Sequence, residues 1–183
     1  KEIKYNNTIK CSYEIILQLV KTSINEIKQI LVKKYNSINN EKILYILKQQ
    51  GKRLQVENIK NKLLTLETYI MSELYYLTNI DIWVLAEHFN LSIILISATK
   101  LLENSKPSLA LIKDDTEYTI IKVPPIHIKN NIGSYSIIKD TSYKIDLKLL
   151  NPNLAKILKE NYMTFNQYID RINPNKKTLL LVK

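Results

Sequence analysis

TNIDIWVLAEHFNLSIILIS, residues 78–97, decides how this chain folds. Thr78 with Asp81 three positions later is a capping-box start, a hydroxyl and a carboxylate that satisfy each other's free backbone N–H groups. Ile82, Leu85, Ala86 and Phe89 recur at steps of three and four and predict the buried stripe of a helix. Asn90 suits a left-handed helix end. LSIILIS, residues 91–97, is apolar without alternation and rich in β-branched residues. A strand of that kind is covered on both faces, inside a sheet flanked by helices. Trp83 stands off the stripe. It is either an interface anchor or the filling of a second side of a buried helix. His88 falls on the exposed side of the same helix.

The flanks are read from this unit. On its N-terminal side, CSYEIILQLVKTSINEIKQILVKKY (11–35) places Tyr13, Leu17, Val20, Ile24, Ile27 and Leu31 on one face and predicts one long amphipathic helix. NEKILYILKQQ (40–50) predicts a short helix closed by Gly51. Val56, Ile59, Leu63, Leu66 and Ile70 predict a third helix, from 56 to 71. Tyr75-Tyr76, beside lysines, could stack on bases, but they precede a helix cap and are expected to pack on the sheet. On the C-terminal side, SLALIK, the turn DDT and EYTIIKV predict a β-hairpin, residues 109–113 and 117–123. GSYSIIKD predicts a fourth strand, 134–139. From Asn151 the chain reads as helical again, with Pro152 in the first turn. The expected architecture is α+β: N-terminal helices packed on a small mixed sheet in residues 1–150, then a C-terminal helical tail, 151–183.

Composition narrows the function classes. The 183 residues are 45% hydrophobic, enough for a sizeable core, and carry a net charge of +10. The lysines are scattered in runs no longer than two, and the arginines are Arg53 and Arg171 alone. Specific nucleic-acid readout leans on arginine forks, so a basic nucleic-acid-associated module is a minor reading beside solvated lysine faces. One cysteine excludes an internal disulfide and a cysteine-rich zinc site. It fits a reducing compartment and a cytoplasmic location. No apolar run reaches the roughly 18 residues of a membrane span, so no membrane partner is expected. With 2 glycines the chain has no phosphate-cradling loop, and no cofactor is expected. Asp114-Asp115 is most simply a turn; a metal there would need further oxygen ligands. The chain begins at Lys1 rather than Met, so a piece of a larger polypeptide is expected. Its lysine-, asparagine- and isoleucine-rich composition suits a large-DNA virus or an AT-rich eukaryote.

Three stretches carry a resemblance. Cys11-Ser12-Tyr13-Glu14-Ile15-Ile16 is similar to a helix start opened by a nucleophilic cysteine. Asp81-Ile82-Trp83-Val84-Leu85-Ala86, followed by Leu91 to Ile96, is similar to a Glu-Leu-x-Ala-Leu helix leading into a hydrophobic strand. Ser134-Tyr135-Ser136-Ile137-Ile138 is similar to a terminal His-Tyr-x-Ser strand. In this order they resemble the ovarian-tumour-type (OTU-like) cysteine proteases, a papain-like group that cleaves ubiquitin chains. The resemblance spans about residues 5–140 and implies an OTU-like or papain-like fold.

The departures bear on chemistry. The family's Asp-Gly-Asn box before the cysteine reads Thr8-Ile9-Lys10 here, with no glycine whose backbone could serve an oxyanion. Ser134 occupies the position of the general base, and serine does not accept a proton near neutral pH. The implied role is therefore a degenerate domain without protease activity, structural or protein-binding, with a ubiquitin-like protein as the partner class. The competing reading is an active cysteine protease or deubiquitinase in which Cys11 is the nucleophile and His127, from VPPIHIK, is the base. Against it, Cys11 also reads as a small buried hydrophobe near a helix start, and His127 as a loop residue without a role.

Overall fold

The 78–97 stretch folds as a helix, Asn79–His88, and a strand, Ile93–Ser97, in a computed structural model that describes residues 2–5, 11–97, 108–123, 135–138 and 145–174. Around this unit the chain runs β1 (Glu2–Tyr5), α1 (Cys11–Leu19), α2 (Ile24–Asn36), α3 (Asn40–Gln49), α4 (Arg53–Lys60), α5 (Leu66–Met71) and α6 (Asn79–His88). It continues through β2 (Ile93–Ser97), β3 (Ser108–Ile112), β4 (Glu117–Val123), β5 (Tyr135–Ile138), β6 (Ile145–Asp146), α7 (Leu147–Leu150), α8 (Pro152–Glu160) and α9 (Phe165–Arg171). The class is α+β, as expected.

The described strands lie in the order β1-β5-β4-β2-β3, and β6 pairs with the start of β4. The sheet is mixed: β2 runs parallel to β4, and the other pairs are antiparallel. Strand β2 lies between β3 and β4, with Ile93, Ile94 and Leu95 all buried. Each such side chain removed from water is worth about 1.5–3 kcal/mol, so the most apolar strand takes the most covered place. Successive residues alternate between two cores. Ile93, Leu95, Ile112, Ile121 and Val123 face a large core shared with the N-terminal helices and α9. Ile94, Leu111, Tyr118 and Ile120 face a smaller one closed by Leu147, Ala155 and Leu158 of α7 and α8.

The expected β3–β4 hairpin is corrected. The two strands do not pair, because β2 separates them. Their connection passes beneath the start of β2 and is fastened there. Ser92 donates from its hydroxyl to Asp115 Oδ2 at 2.6 Å, and its carbonyl accepts the Thr119 N–H at 3.0 Å. Asp114-Asp115 does lie in this turn, next to Lys113 at a positive φ of 69°.

The single helix expected over 11–35 is two. Ser23 caps a new helix and accepts the Glu26 N–H at 3.1 Å. The restart shifts the buried face, so Ile15 and Ile16 join Tyr13 in the core while Leu17, Val20 and Ile24 are only partly buried. The helix expected over 56–71 is also two. Lys62, at a positive φ of 60°, ends α4, Leu63 is 77% exposed, and Thr65 caps α5. The 151–172 helix likewise restarts at Thr164, whose partner Gln167 completes a capping box. Replacing Ser23 by alanine is expected to lower stability by about 1 kcal/mol, read from the denaturant midpoint. An unchanged midpoint would mean that packing alone sets the break.

Helix α6 is buried from Asn79 through Ala86, on every side. A helix hydrophobic all round has no single stripe, which explains why Trp83 is core rather than an interface anchor. Its ring meets Phe165 edge-on at 5.7 Å and Tyr168 at 5.1 Å. The Glu87 carboxylate accepts the Trp83 indole N–H at 3.2 Å and the Phe165 N–H at 2.8 Å. Helix α9 thus lies directly on α6. Among the described residues no helix is long and apolar enough to cross a membrane.

Candidate functional site

Cys11 is the first residue of α1. The next two side chains fix that turn. Ser12 is fully buried and its Oγ accepts the Leu77 N–H at 3.0 Å; Tyr13 donates from its hydroxyl to the Tyr75 carbonyl at 2.6 Å. Helix α1 packs on β1 and β5, and β5 begins at Tyr135, one residue after Ser134. The helix similar to the nucleophile helix and the strand similar to the base strand are neighbours. Ser134, His127 and Thr8-Ile9-Lys10 lie outside the described residues. His88 is exposed on α6 as expected, with its ring edge-on to Phe89 at 5.0 Å.

The most polar constellation in the interior was not anticipated. Asp81, fully buried at the start of α6, accepts the Tyr75 hydroxyl on Oδ1 at 2.7 Å and the Tyr35 hydroxyl on the same oxygen. Its Oδ2 accepts the Thr78 N–H at 2.9 Å. Lys52, 3% exposed, holds its ammonium 3.5 Å from Oδ2 and donates to the Tyr76 carbonyl at 2.8 Å. The same ammonium lies over the Tyr75 ring, 3.4 Å from its centroid, with Tyr76 and Tyr69 farther out. Such stacking offsets part of the lost hydration of a buried cation. Tyr75 therefore packs in a cage beside α2 and α6, not on the sheet.

Burial dominates the electrostatics. Desolvation pulls the Lys52 ammonium from its usual 10.5 to about 8, against the opposing pull of Asp81. It pushes Tyr35 and Tyr75 well above the usual tyrosine range, and the Asp81 charge adds to the rise. Tyr13 and Tyr69 move the same way for the same leading cause. A carboxylate satisfied by two hydroxyls, an amide and a cation has no lone pair to spare for a substrate. With both ionic partners removed from solvent, the cage is internal architecture. Asp81 was read as a helix cap and as the first residue of the stretch similar to a Glu-Leu-x-Ala-Leu helix. The Thr78–Asp81 spacing gives that role, but nothing local announces that Tyr35 and Lys52 converge on it from two other elements.

The lysines show a wider pattern. Lys28 donates to the Ser72 carbonyl at 2.7 Å, Lys42 to the Ile169 carbonyl at 3.1 Å, and Lys52 to the Tyr76 carbonyl. Ser72 is the C-cap of α5, Ile169 lies in the last turn of α9, and Tyr76 lies in the segment between α5 and α6. Part of the positive charge is thereby spent inside the fold rather than on a phosphate-binding face. At the Asp114-Asp115 turn, Asp114 faces Lys159 at 3.4 Å and Asp115 accepts from Ser92. Among the described residues no cluster of three histidine, cysteine or acidic side chains could hold a metal ion. In comparisons with known proteins, no family model, no curated protein and no solved structure matches the chain.

Proposed function

We propose that this chain is a catalytically inert OTU-like domain with a structural or protein-binding role. The observation that carries the reading is the adjacency of α1, opening at Cys11, and β5, opening directly after Ser134. In the family that the sequence resembles, the corresponding helix and strand bring a nucleophile and its base together. Here the base position holds serine, which cannot take the thiol proton near neutral pH. The preceding Thr8-Ile9-Lys10 lacks the glycine turn that would support an oxyanion. A ubiquitin-like protein is the partner class this implies. The inward use of Lys28, Lys42 and Lys52 weighs against a nucleic-acid role.

The test is labelling by a ubiquitin-type activity probe, read as the mass of the intact chain. Cys11 is expected to stay unlabelled, because a thiol without a base is not selectively activated. Rapid labelling at pH 6 that disappears in His127→Ala would overturn this reading and establish the protease that uses Cys11 and His127.

A further inference from the structure

The surroundings of the Lys52 ammonium are those of a receptor for a cation. The ring centroids of Tyr75, Tyr76 and Tyr69 lie 3.4, 4.9 and 5.9 Å from it. Aromatic faces gathered around a cation are how proteins recognise ammonium ligands. Two acceptors add direction, the Tyr76 carbonyl at 2.8 Å and Asp81 Oδ2 at 3.5 Å. Both call for N–H donors, so they favour a primary ammonium over a quaternary one. The walls of the site are held without Lys52. Tyr75 is fixed by its hydroxyl on Asp81 and by Tyr69, whose ring meets it edge-on at 5.0 Å. Asp81 is fixed by Tyr35, Tyr75 and the Thr78 N–H. The main chain at residue 52 is held apart from its side chain. Gly51, at a φ of 85°, turns the chain out of α3, the Lys52 N–H donates to the Leu47 carbonyl at 3.1 Å, and the Lys52 carbonyl accepts the Val56 N–H at 3.0 Å. Gly51 and Arg53 are exposed while the Lys52 side chain is buried. That side chain therefore runs inward from the surface, and its stem marks a path from solvent to the cage.

We propose that the cage is a primary-ammonium site occupied in cis by Lys52, and that it takes a small alkylammonium ion from solution when that side chain is cut back. A cavity left by truncation binds molecules of the shape removed. In Lys52→Ala the missing atoms are those of propylammonium, and in Lys52→Gly those of butylammonium. The site is independent of whether the domain binds a ubiquitin-like protein.

Urea midpoints of the whole chain, at neutral pH and matched ionic strength, test the site. For a ligand of so few atoms a dissociation constant on the order of 1 mM is expected. Propylammonium chloride at about 10 mM is then expected to raise the folded-to-unfolded ratio of Lys52→Ala about tenfold. It is expected to leave unmoved the wild-type chain, whose site is filled, and the double variant Lys52→Ala with Asp81→Asn. Propyltrimethylammonium, which lacks N–H donors, and 1-propanol, which lacks the charge, are each expected to do much less. If Lys52→Ala is unfolded by itself, the same titration reads the return of Trp83 fluorescence, and Lys52→Gly with butylammonium repeats it. If neither variant responds to its ligand, the cage is not a site and the proposal fails. If propanol or the quaternary ion serves as well, or if the wild-type chain or the double variant gains as much, the effect does not arise at a primary-ammonium site and the proposal fails equally.

Discussion

Lys52→Met is expected to destabilise the chain by about 3–5 kcal/mol, a large part of the 5–15 kcal/mol that holds a typical domain together. The cost does not come from losing a strong bond. Each ion of a buried pair gives up several kcal/mol of hydration, and their attraction roughly repays it. It comes from asymmetry: with Lys52 gone, the fully buried Asp81 carboxyl group is left without its cationic partner. Asp81→Leu is expected to cost at least as much. It leaves Lys52 unpaired and also orphans the Tyr35 and Tyr75 hydroxyls and the Thr78 N–H, at about 1–3 kcal/mol for each buried donor. The double variant is expected to cost clearly less than the sum of the two, since neither charge is then stranded. Urea midpoints of the four chains measure all of this. Strict additivity, or single costs below about 1 kcal/mol, would mean that water reaches the pair.

Above pH 10 the chain is expected to unfold in one steep step. Tyr13, Tyr35, Tyr69, Tyr75 and Tyr168 are all raised above the ordinary 10.0, first by burial, and for the first four also by the Asp81 charge. In the unfolded chain these phenols ionise near 10; in the folded chain they keep their protons. The unfolded state therefore binds fewer protons and stability falls as pH rises, by about 1.4 kcal/mol per pH unit for each tyrosine. Five together give about 7 kcal/mol per unit, enough to exhaust a typical domain's stability within one to two pH units. Of the 12 tyrosines, these five should contribute their tyrosinate absorbance only in the step in which Trp83 fluorescence changes. Ionisation of all 12 tyrosines with Trp83 fluorescence unchanged would show that the cage admits solvent.

How far the sequence reaches differs between parts of the molecule. The 78–97 unit was readable because three local signals agree: the Thr78–Asp81 cap, the left-handed Asn90 at a φ of 56°, and the unbroken apolar run. The four strands anticipated between 91 and 139 all exist, since β-branched runs bounded by turn residues are also local signals. Three long helices were mistaken for continuous ones. In each case apolar spacing ran on across a break that a capping residue announces: Ser23 before Glu26, Thr65 before Thr68, Thr164 before Gln167. Two of these have the hydroxyl-to-acid-or-amide spacing that was recognised at Thr78. Strand neighbours were misjudged because pairing is decided by burial across the whole sheet, and a short turn such as 113–116 does not reveal a third strand passing between its arms. The Lys52–Asp81 cage was invisible for the same reason. Its members come from α2, the turn before α4, and α5 to α6, and only the folded chain brings them together.

The insertion of β2 between β3 and β4 has a consequence for how the chain reaches its native state. Four residues separate β3 from β4, so the contact that closes first in an unfolded chain is the direct hairpin between them, on a timescale of about 1–10 μs. That hairpin has no place in the finished sheet. Native pairing requires β2 to be seated against β3 before β4 swings beneath Ser92 to its other side, or an early hairpin to melt and re-pair. Local speed and final topology therefore pull apart at this one turn, and the apolar weight of Ile93, Ile94 and Leu95 is what resolves the competition.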